Sequence, residues 1–166
     1  MDKALEVKFQ HFLEKFPIID LPITLSDDLH LTFSQNNEPL NPLMIQQYIA
    51  FIEGEEPDEF TEYIPCFKIP ETLEFHAIVY WKASLMNYQY VMATFDKVGN
   101  MIDKRVLGGT FSDGKVVTKS LVTIDPDWMI YVVTGQLESV DITYDATQSR
   151  AFDLELLPDG KIVNSI

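Results

Sequence analysis

From Phe75 to Ile166 the chain is a succession of strand-length apolar segments joined by turn residues, and no segment of helical period separates them. Parallel strands need a crossover of about a dozen residues or more, usually a helix, so this stretch can only return as antiparallel neighbours. Alternation and flanking turns predict strands over 74–85, 88–96, 101–107, 115–124, 128–137, 140–145 and 151–157, then a short one over 161–165. The connectors Asp96-Lys97-Val98-Gly99-Asn100, Asp113-Gly114, Asp125-Pro126-Asp127 and Asp159-Gly160 carry turn chemistry. Asp-Gly between extended segments predicts a type I′ hairpin, which needs positive φ. Phe111-Ser112-Asp113-Gly114-Lys115-Val116-Val117 parallels Leu157-Pro158-Asp159-Gly160-Lys161-Ile162-Val163, and recurrent hairpin chemistry explains the likeness more simply than duplication.

The first third reads differently. Leu5, Phe9, Phe12, Leu13 and Phe16 fall at helical spacing over 3–16, and Pro17 ends the run. Leu21–Leu25 and Leu29–Phe33 read as short extended pieces around a Ser26-Asp27-Asp28 turn, the second alternating Leu29, Leu31 and Phe33 against His30 and Thr32. Asn41-Pro42 opens a second helix whose apolar side is Leu43, Ile45, Tyr48, Ile49 and Ile52, with Gly54 at its C-terminal cap. Pro57, Pro65 and Pro70 predict an irregular connector over 55–70. The expected fold is α+β: mainly an antiparallel meander, curled or partly barrelled, with an N-terminal helix and one further helix. A single domain is expected over 1–166, with 1–54 packing on the sheet of 71–166 and 55–70 as an acidic, proline-containing connector.

At 166 residues the chain can bury about 70% of its extended surface, enough for a core without staples. One cysteine excludes an internal disulfide and any multi-cysteine metal site. Twelve bases against 26 acids give a formal charge of −14, which argues against binding a phosphate backbone, so no nucleic-acid partner is expected. No window approaches 18 uninterrupted apolar residues, and Met1 to Lys8 shows no basic-then-apolar leader. The expectation is a cytoplasmic protein with no membrane partner, unless a leader has been removed.

No catalytic constellation announces itself. Cys66 has no adjacent cation and reads as a buried structural thiol. His11, His30 and His76 lie in different segments without metal spacing, and read as surface or edge histidines. Asp27, Asp28, Asp125 and Asp127 read as turn aspartates rather than calcium ligands. Gly108-Gly109 lacks a following helix and lysine, so a bulge or tight turn is expected in place of a phosphate loop. No catalytic residue, metal or cofactor is assigned.

Two features carry binding readings. Glu53, Glu55, Glu56, Asp58, Glu59 and Glu62 form an acidic run without a base, either a docking patch for a basic partner or a solvated loop. Phe75, Tyr80, Trp81, Tyr88, Tyr90 and Phe95 crowd 21 residues and fall on both faces of the expected strands. That pattern fits a sheet covered on both sides, or a curved sheet whose Trp81, Tyr88 and Tyr90 line a ligand groove.

Three stretches carry a family likeness: Phe9-x-x-Phe12-Leu13-x-x-Phe16-Pro17 to Leu21-Pro22, Tyr90-x-x-x-Thr94-Phe95-Asp96-x-x-Gly99-x-x-Ile102-Asp103, and Asp159-Gly160-Lys161-Ile162-Val163. They resemble small, β-rich bacterial proteins of unknown function, some of them lipoproteins. The resemblance covers about a third of the chain and implies an antiparallel sheet with an N-terminal helix, and no activity; a lipoprotein's leader and lipid-accepting cysteine are not seen at the start.

The functional expectation is a non-enzymatic acidic interaction protein, an inhibitor or immunity-type partner of a basic protein. The alternative is a small-ligand or carbohydrate binding module using the Tyr/Trp-lined face. An enzyme with a dispersed site, centred on His76 or Cys66, is the third reading. Edge strands of an open meander need protection, so either a monomer or an edge-to-edge homodimer is expected.

Overall fold

A computed structural model of the chain describes residues 9–138 and 144–165, with side chains described over 9–136 and 150–165. Nine strands are described: β1 (Ile23–Leu25), β2 (Glu62–Lys68), β3 (His76–Ser84), β4 (Asn87–Phe95), β5 (Met101–Ser112), β6 (Val116–Ile124), β7 (Met129–Glu138), β8 (Tyr144–Leu156) and β9 (Ile162–Asn164). All belong to one antiparallel sheet, with β2 to β9 neighbouring one another in chain order and β1 paired to β6. The meander follows from the missing crossovers, and the fold is α+β with a predominantly antiparallel sheet.

The helices are α1, over 9–14, α2 (Leu29–Asn36), and α3, which runs through Pro42–Met44, Ile45–Ile49 and Ala50–Glu53. Asn41 caps α3 by accepting from the Met44 N–H at 2.9 Å, and Gly54 closes it in the left-handed region at φ +74°. Its middle turn is wider than α, since the Ala50 N–H reaches back five residues to the Ile45 carbonyl.

Several sequence expectations need correction. Leu29–Phe33 is helical, within α2, so two helices follow α1 instead of one. Five residues with apolar positions 29, 31 and 33 fit either period, and the helix wins because Leu29 and Phe33, four apart, both reach the core while Leu31 faces out. The 55–70 stretch holds β2, whose Pro65 is tolerated because β2 is the first strand of the sheet and bulges between Pro65 and Phe67. The Asp-Gly turns have positive φ at Gly114 and Gly160 but not at Asp113 or Asp159, so they are not type I′. Instead each aspartate carboxylate holds backbone N–H groups: Asp113 those of Lys115 and Val116, and Asp159 that of Lys161. β5 continues to Ser112, and β8 runs from Tyr144, inside the 140–145 prediction, to Leu156, joining it to the 151–157 one. Residues 3–8 of the first helix and 140–143 lie outside the described residues.

The sheet is buried on its inner side and, over β2–β4 alone, on its outer side as well. Inside its curl, Cys66, Phe67, Val79, Trp81, Met92 and Leu107 meet Val122, Ile130, Leu154 and Ile162 of the later strands. On the outer side of β2–β4, Phe9, Phe12, Phe16, Tyr48, Ile49 and Ile52 from α1 and α3 cover Ile78, Tyr80, Val91 and Phe95. The strand alternation of β3 therefore feeds two cores, which is why both of its faces are apolar.

The curl is stitched by segments of the same chain. The Pro17 carbonyl accepts from the Lys68 N–H at 2.8 Å on the β2 edge, and a few residues later β1 pairs with β6. The Asn37 amide donates to the Pro65 and Cys66 carbonyls at 2.8 and 2.9 Å, satisfying the bulge. At the other end, Asp103 accepts from the Ile162 N–H at 2.8 Å while Arg105 donates to the Ile162 carbonyl at 3.2 Å and to Asn164 at 3.0 Å. These contacts occupy backbone groups that a bare edge strand would present.

Candidate functional site

Gly109 sets the shape of the one aromatic-lined cavity described. A Cβ there would meet the Tyr88 carbonyl at 1.8 Å, so β5 approaches β4 more closely than any other residue allows. One residue earlier, a Cβ on Gly108 would lie 2.8 Å from Ser120 and Val122 side-chain atoms, where β5 crosses toward β6. The register shifts between Tyr90 and Val91, so the double glycine does mark a bulge. Beside it lies a cavity of about 340 Å³ lined by Asp27, His30, Trp81, Tyr88, Tyr90, Gly109 and Thr110.

Each wall has an identifiable support. Trp81 on β3 pairs with Tyr90 on β4, and Tyr88 sits two residues before Tyr90 on the same face. His30, in the first turn of α2, stacks on Trp81 with ring centroids 3.9 Å apart and planes 1° from parallel. Tyr88 stacks on the same indole at 5.7 Å and 10°. The Tyr90 hydroxyl donates to the Ser26 carbonyl at 2.8 Å, tying the strand wall to the loop before α2. Trp81 and Tyr90 are only 7% and 2% exposed, whereas Tyr88 is 42% exposed. The three aromatics singled out from sequence meet at one site, but the exposed platform that a binding module at Trp81 and Tyr88 calls for is not formed: Trp81 and Tyr90 are buried and only Tyr88 is open to solvent, so what the rings line is a pocket.

Electrostatics around the cavity are negative. Asp27 forms an ion pair with Lys119 at 2.9 Å, and the lysine's hydrogen bond and charge hold its carboxyl below the ordinary value. Burial pulls the His30 imidazole below the usual histidine value, against the opposing charges of Asp28, Asp27 and Glu62. His30 is therefore neutral at pH 7, and its buried Nδ1 has no hydrogen-bond partner. Burial also pushes the Tyr90 phenol up. Asp27 is a shared wall: on its far side a second cavity of about 380 Å³ is lined by Ser26, Lys119, Ser120, Leu121, Val133 and Gly135.

His30, Asp27 and Thr110 were not assigned to a site from sequence. Their only sequence signal is the double glycine before Thr110 and the Ser-Asp-Asp turn before His30, neither of which says that the two segments meet. His30 is half-buried against Trp81, unlike the surface or edge histidine expected, while His11 is exposed.

The acidic run divides. Glu53, its side chain 7% exposed, is bound by Lys82 at 2.6 Å and by the hydroxyl of buried Tyr80. Burial opposes the Lys82 charge, but Glu53 and Glu55 together raise its pKa. Glu55, Glu56, Asp58, Glu59 and Glu62 are exposed, and Asp58 accepts from the Phe60 N–H at 2.9 Å. Phe60 projects from their midst, 81% exposed.

The remaining candidates are packed within the fold. Cys66 is buried, donates weakly to the Ile64 carbonyl at 3.6 Å, and has its thiol pKa raised by burial. His76 packs edge-on against Phe9 at 6.0 Å. Among the described residues, no group of three or more His, Cys, Asp or Glu is placed to hold a metal ion, and no helix is long and apolar enough to cross a membrane.

No family model matches the chain, and neither a curated protein nor a solved structure was found that is similar to it.

Proposed function

We propose that the chain is a binding module that holds a small ligand in the cavity between the start of α2 and strands β3–β5. The observation that carries this reading is the stack of His30, Trp81 and Tyr88 along one side of a 340 Å³ cavity. That volume is at the lower end for ligand sites, and a mostly aromatic lining with a few polar groups is the usual composition. His30 and Tyr88 both stack on Trp81, so the rings brace one another and a ring or compact apolar head meets a rigid wall that costs little ordering on entry. Binding fits better than turnover. Asp27 is committed to Lys119, and His30 Nδ1 has no carboxylate to orient it as a base. Calorimetric titration and thermal shift against a panel of compact ring compounds and saccharides test the reading. Tyr88→Ala should abolish any heat of binding with the fold intact. A ligand whose affinity ignores Tyr88 and Thr110 refutes it.

A second reading, docking of a basic protein on the acidic run, is favoured by Phe60, an exposed aromatic flanked in sequence by the exposed acids Glu55, Glu56, Asp58, Glu59 and Glu62. Aromatic anchors inside a charged rim resemble interface hot spots. Capture from lysate should be salt-sensitive and lost in Phe60→Ser and in charge reversal of the five exposed acids; retention in both variants refutes it.

A further inference from the structure

We propose that the aromatic cavity selects an organic cation, a quaternary ammonium or guanidinium head, and this rests on the reading of the cavity as a ligand site. His30 and Tyr88 already stack on the Trp81 indole, so the pull on a cation comes from the lining rings of Tyr88 and Tyr90, since an aromatic face attracts a cation within about 6 Å of its centroid, most strongly when water is excluded. Tyr90 is buried and Tyr88 is half-exposed, so a head group entering from the Tyr88 side leaves water on one side only.

The charges point the same way. Asp27 lines the cavity, and Asp28 and Glu62 lie close enough for their charges to act on His30. Among the described residues, no lysine or arginine lines the cavity. Lys119, the cation that touches the lining carboxylate, is already paired with Asp27 at 2.9 Å. With a formal charge of −14 over the whole chain, the long-range field also concentrates cations and repels anions. A neutral apolar head would find the aromatic walls but gain nothing from the carboxylates. An anionic one would face them directly.

Lys119 competes with a bound cation for Asp27, which gives two variants of opposite sign. Both side chains are about half exposed, so neither change threatens the core. Asp27→Asn removes the carboxylate and frees the lysine, and should weaken cation binding about threefold or more. Lys119→Ala frees the carboxylate and should strengthen it by a similar factor.

The test is calorimetry on the whole chain with choline, its uncharged isostere 3,3-dimethylbutanol, the anion 3,3-dimethylbutyrate, and N-acetyl-arginine amide. Choline should bind roughly 3- to 30-fold more tightly than the isostere. The anion should bind more weakly than both. An arginine-containing peptide distinguishes the source of the cation: tenfold tighter binding than N-acetyl-arginine amide identifies a protein side chain, and equal binding a free small molecule. If the isostere equals or exceeds choline, charge selection is overturned while the ligand site stands. If none of the probes binds, and the ring and saccharide panel also fails, the cavity reading falls with it. Asp27→Asn and Lys119→Ala changing choline affinity in the same direction also overturns the proposal.

Discussion

Replacing Glu53 separates a buried acid from the exposed ones that follow it in sequence. Its side chain is 7% exposed and that of Lys82 14%, and its second oxygen accepts a hydrogen bond from the hydroxyl of Tyr80, a side chain fully buried between α3 and the sheet. Glu53→Ala leaves the Tyr80 phenol without its acceptor and the Lys82 ammonium with only the exposed Glu55, at a site water hardly reaches. Breaking one side of such a pair costs about 3–5 kcal/mol. For a domain of this size, 1 kcal/mol shifts the melting temperature by about 2–4 °C, so a fall on the order of 10 °C is expected. Glu55→Ala is the control. Glu55 also touches Lys82, at 3.3 Å, but its side chain is 63% exposed, and such pairs contribute about 0–1 kcal/mol.

A second comparison tests the mechanism rather than the size. Replacing the whole group together, Glu53→Leu with Lys82→Met and Tyr80→Phe, removes every unpaired polar atom along with the pair. The combined variant should recover most of what Glu53→Ala loses. Urea unfolding supplies the free energies, with the slope checked for constancy so that stability alone is compared. If Glu53→Ala and Glu55→Ala destabilise equally, or if the combined variant is as unstable as Glu53→Ala, the buried network is not what anchors α3 to β3.

Gly109→Ala must move the Tyr88 carbonyl from 1.8 Å to ordinary contact, a shift of more than 1 Å in the β4–β5 ladder; melting should show a loss of about 3 kcal/mol or more, and the cavity ligand should be lost too. Asn41→Ala deletes the α3 cap and should cost about 1 kcal/mol in urea unfolding. His30 and His76 both have pKa values below the unfolded value of 6.5, so the folded chain holds fewer protons and stability falls as pH drops through that value. Asp27, Asp28 and Glu62 oppose the His30 shift, while Lys68 and Lys97 deepen that of His76 and Asp96 opposes it. Melting temperature against pH should decline between pH 7 and 5, and His30→Gln should flatten part of the slope; a flat wild-type profile refutes the assignment. Cys66 should resist a thiol reagent in the native state and react on unfolding; rapid native labelling refutes its burial.

The sheet was legible because strand alternation is local. Turn aspartates and glycines punctuate it every eight to ten residues or so, and each punctuation can be read without knowing what lies across the fold. The α3 boundaries were legible for the same reason: Asn41 and Gly54 act on backbone groups within a few residues of themselves. β2 was hidden because proline is a local signal of irregularity, whereas its tolerance here depends on β2 lying first in the sheet and on Asn37 bonding the bulged carbonyls from 28 and 29 residues away. The division of the acidic run was hidden likewise. Glu53 differs from Glu55 only in meeting Tyr80 and Lys82, and that meeting is a property of how α3 lies on β3.

The misread segment at Leu29–Phe33 is also where the site arises. As a strand it would place His30 and Thr32 on one face and Leu29, Leu31 and Phe33 on the other. As a helix it sends Phe33 against Phe67 at 5.7 Å and turns His30, one turn earlier, onto the face of Trp81. The two contacts are coupled, since residues three apart share a helix side. Packing of the core by Phe33 therefore fixes the imidazole over the indole. The turn that opens the helix carries Asp27 to Lys119 and, through the Ser26 carbonyl, holds the Tyr90 hydroxyl. One short helix thus supplies the back wall of the cavity, and the loop before it supplies the carboxylate and a strut. Lengthening that loop by one residue between Asp27 and Asp28 should rotate His30 away from Trp81 while leaving β1 to β9 paired. Loss of cavity binding with an unchanged far-ultraviolet circular dichroism spectrum is the expected result; retained binding would mean that the strands alone form the site.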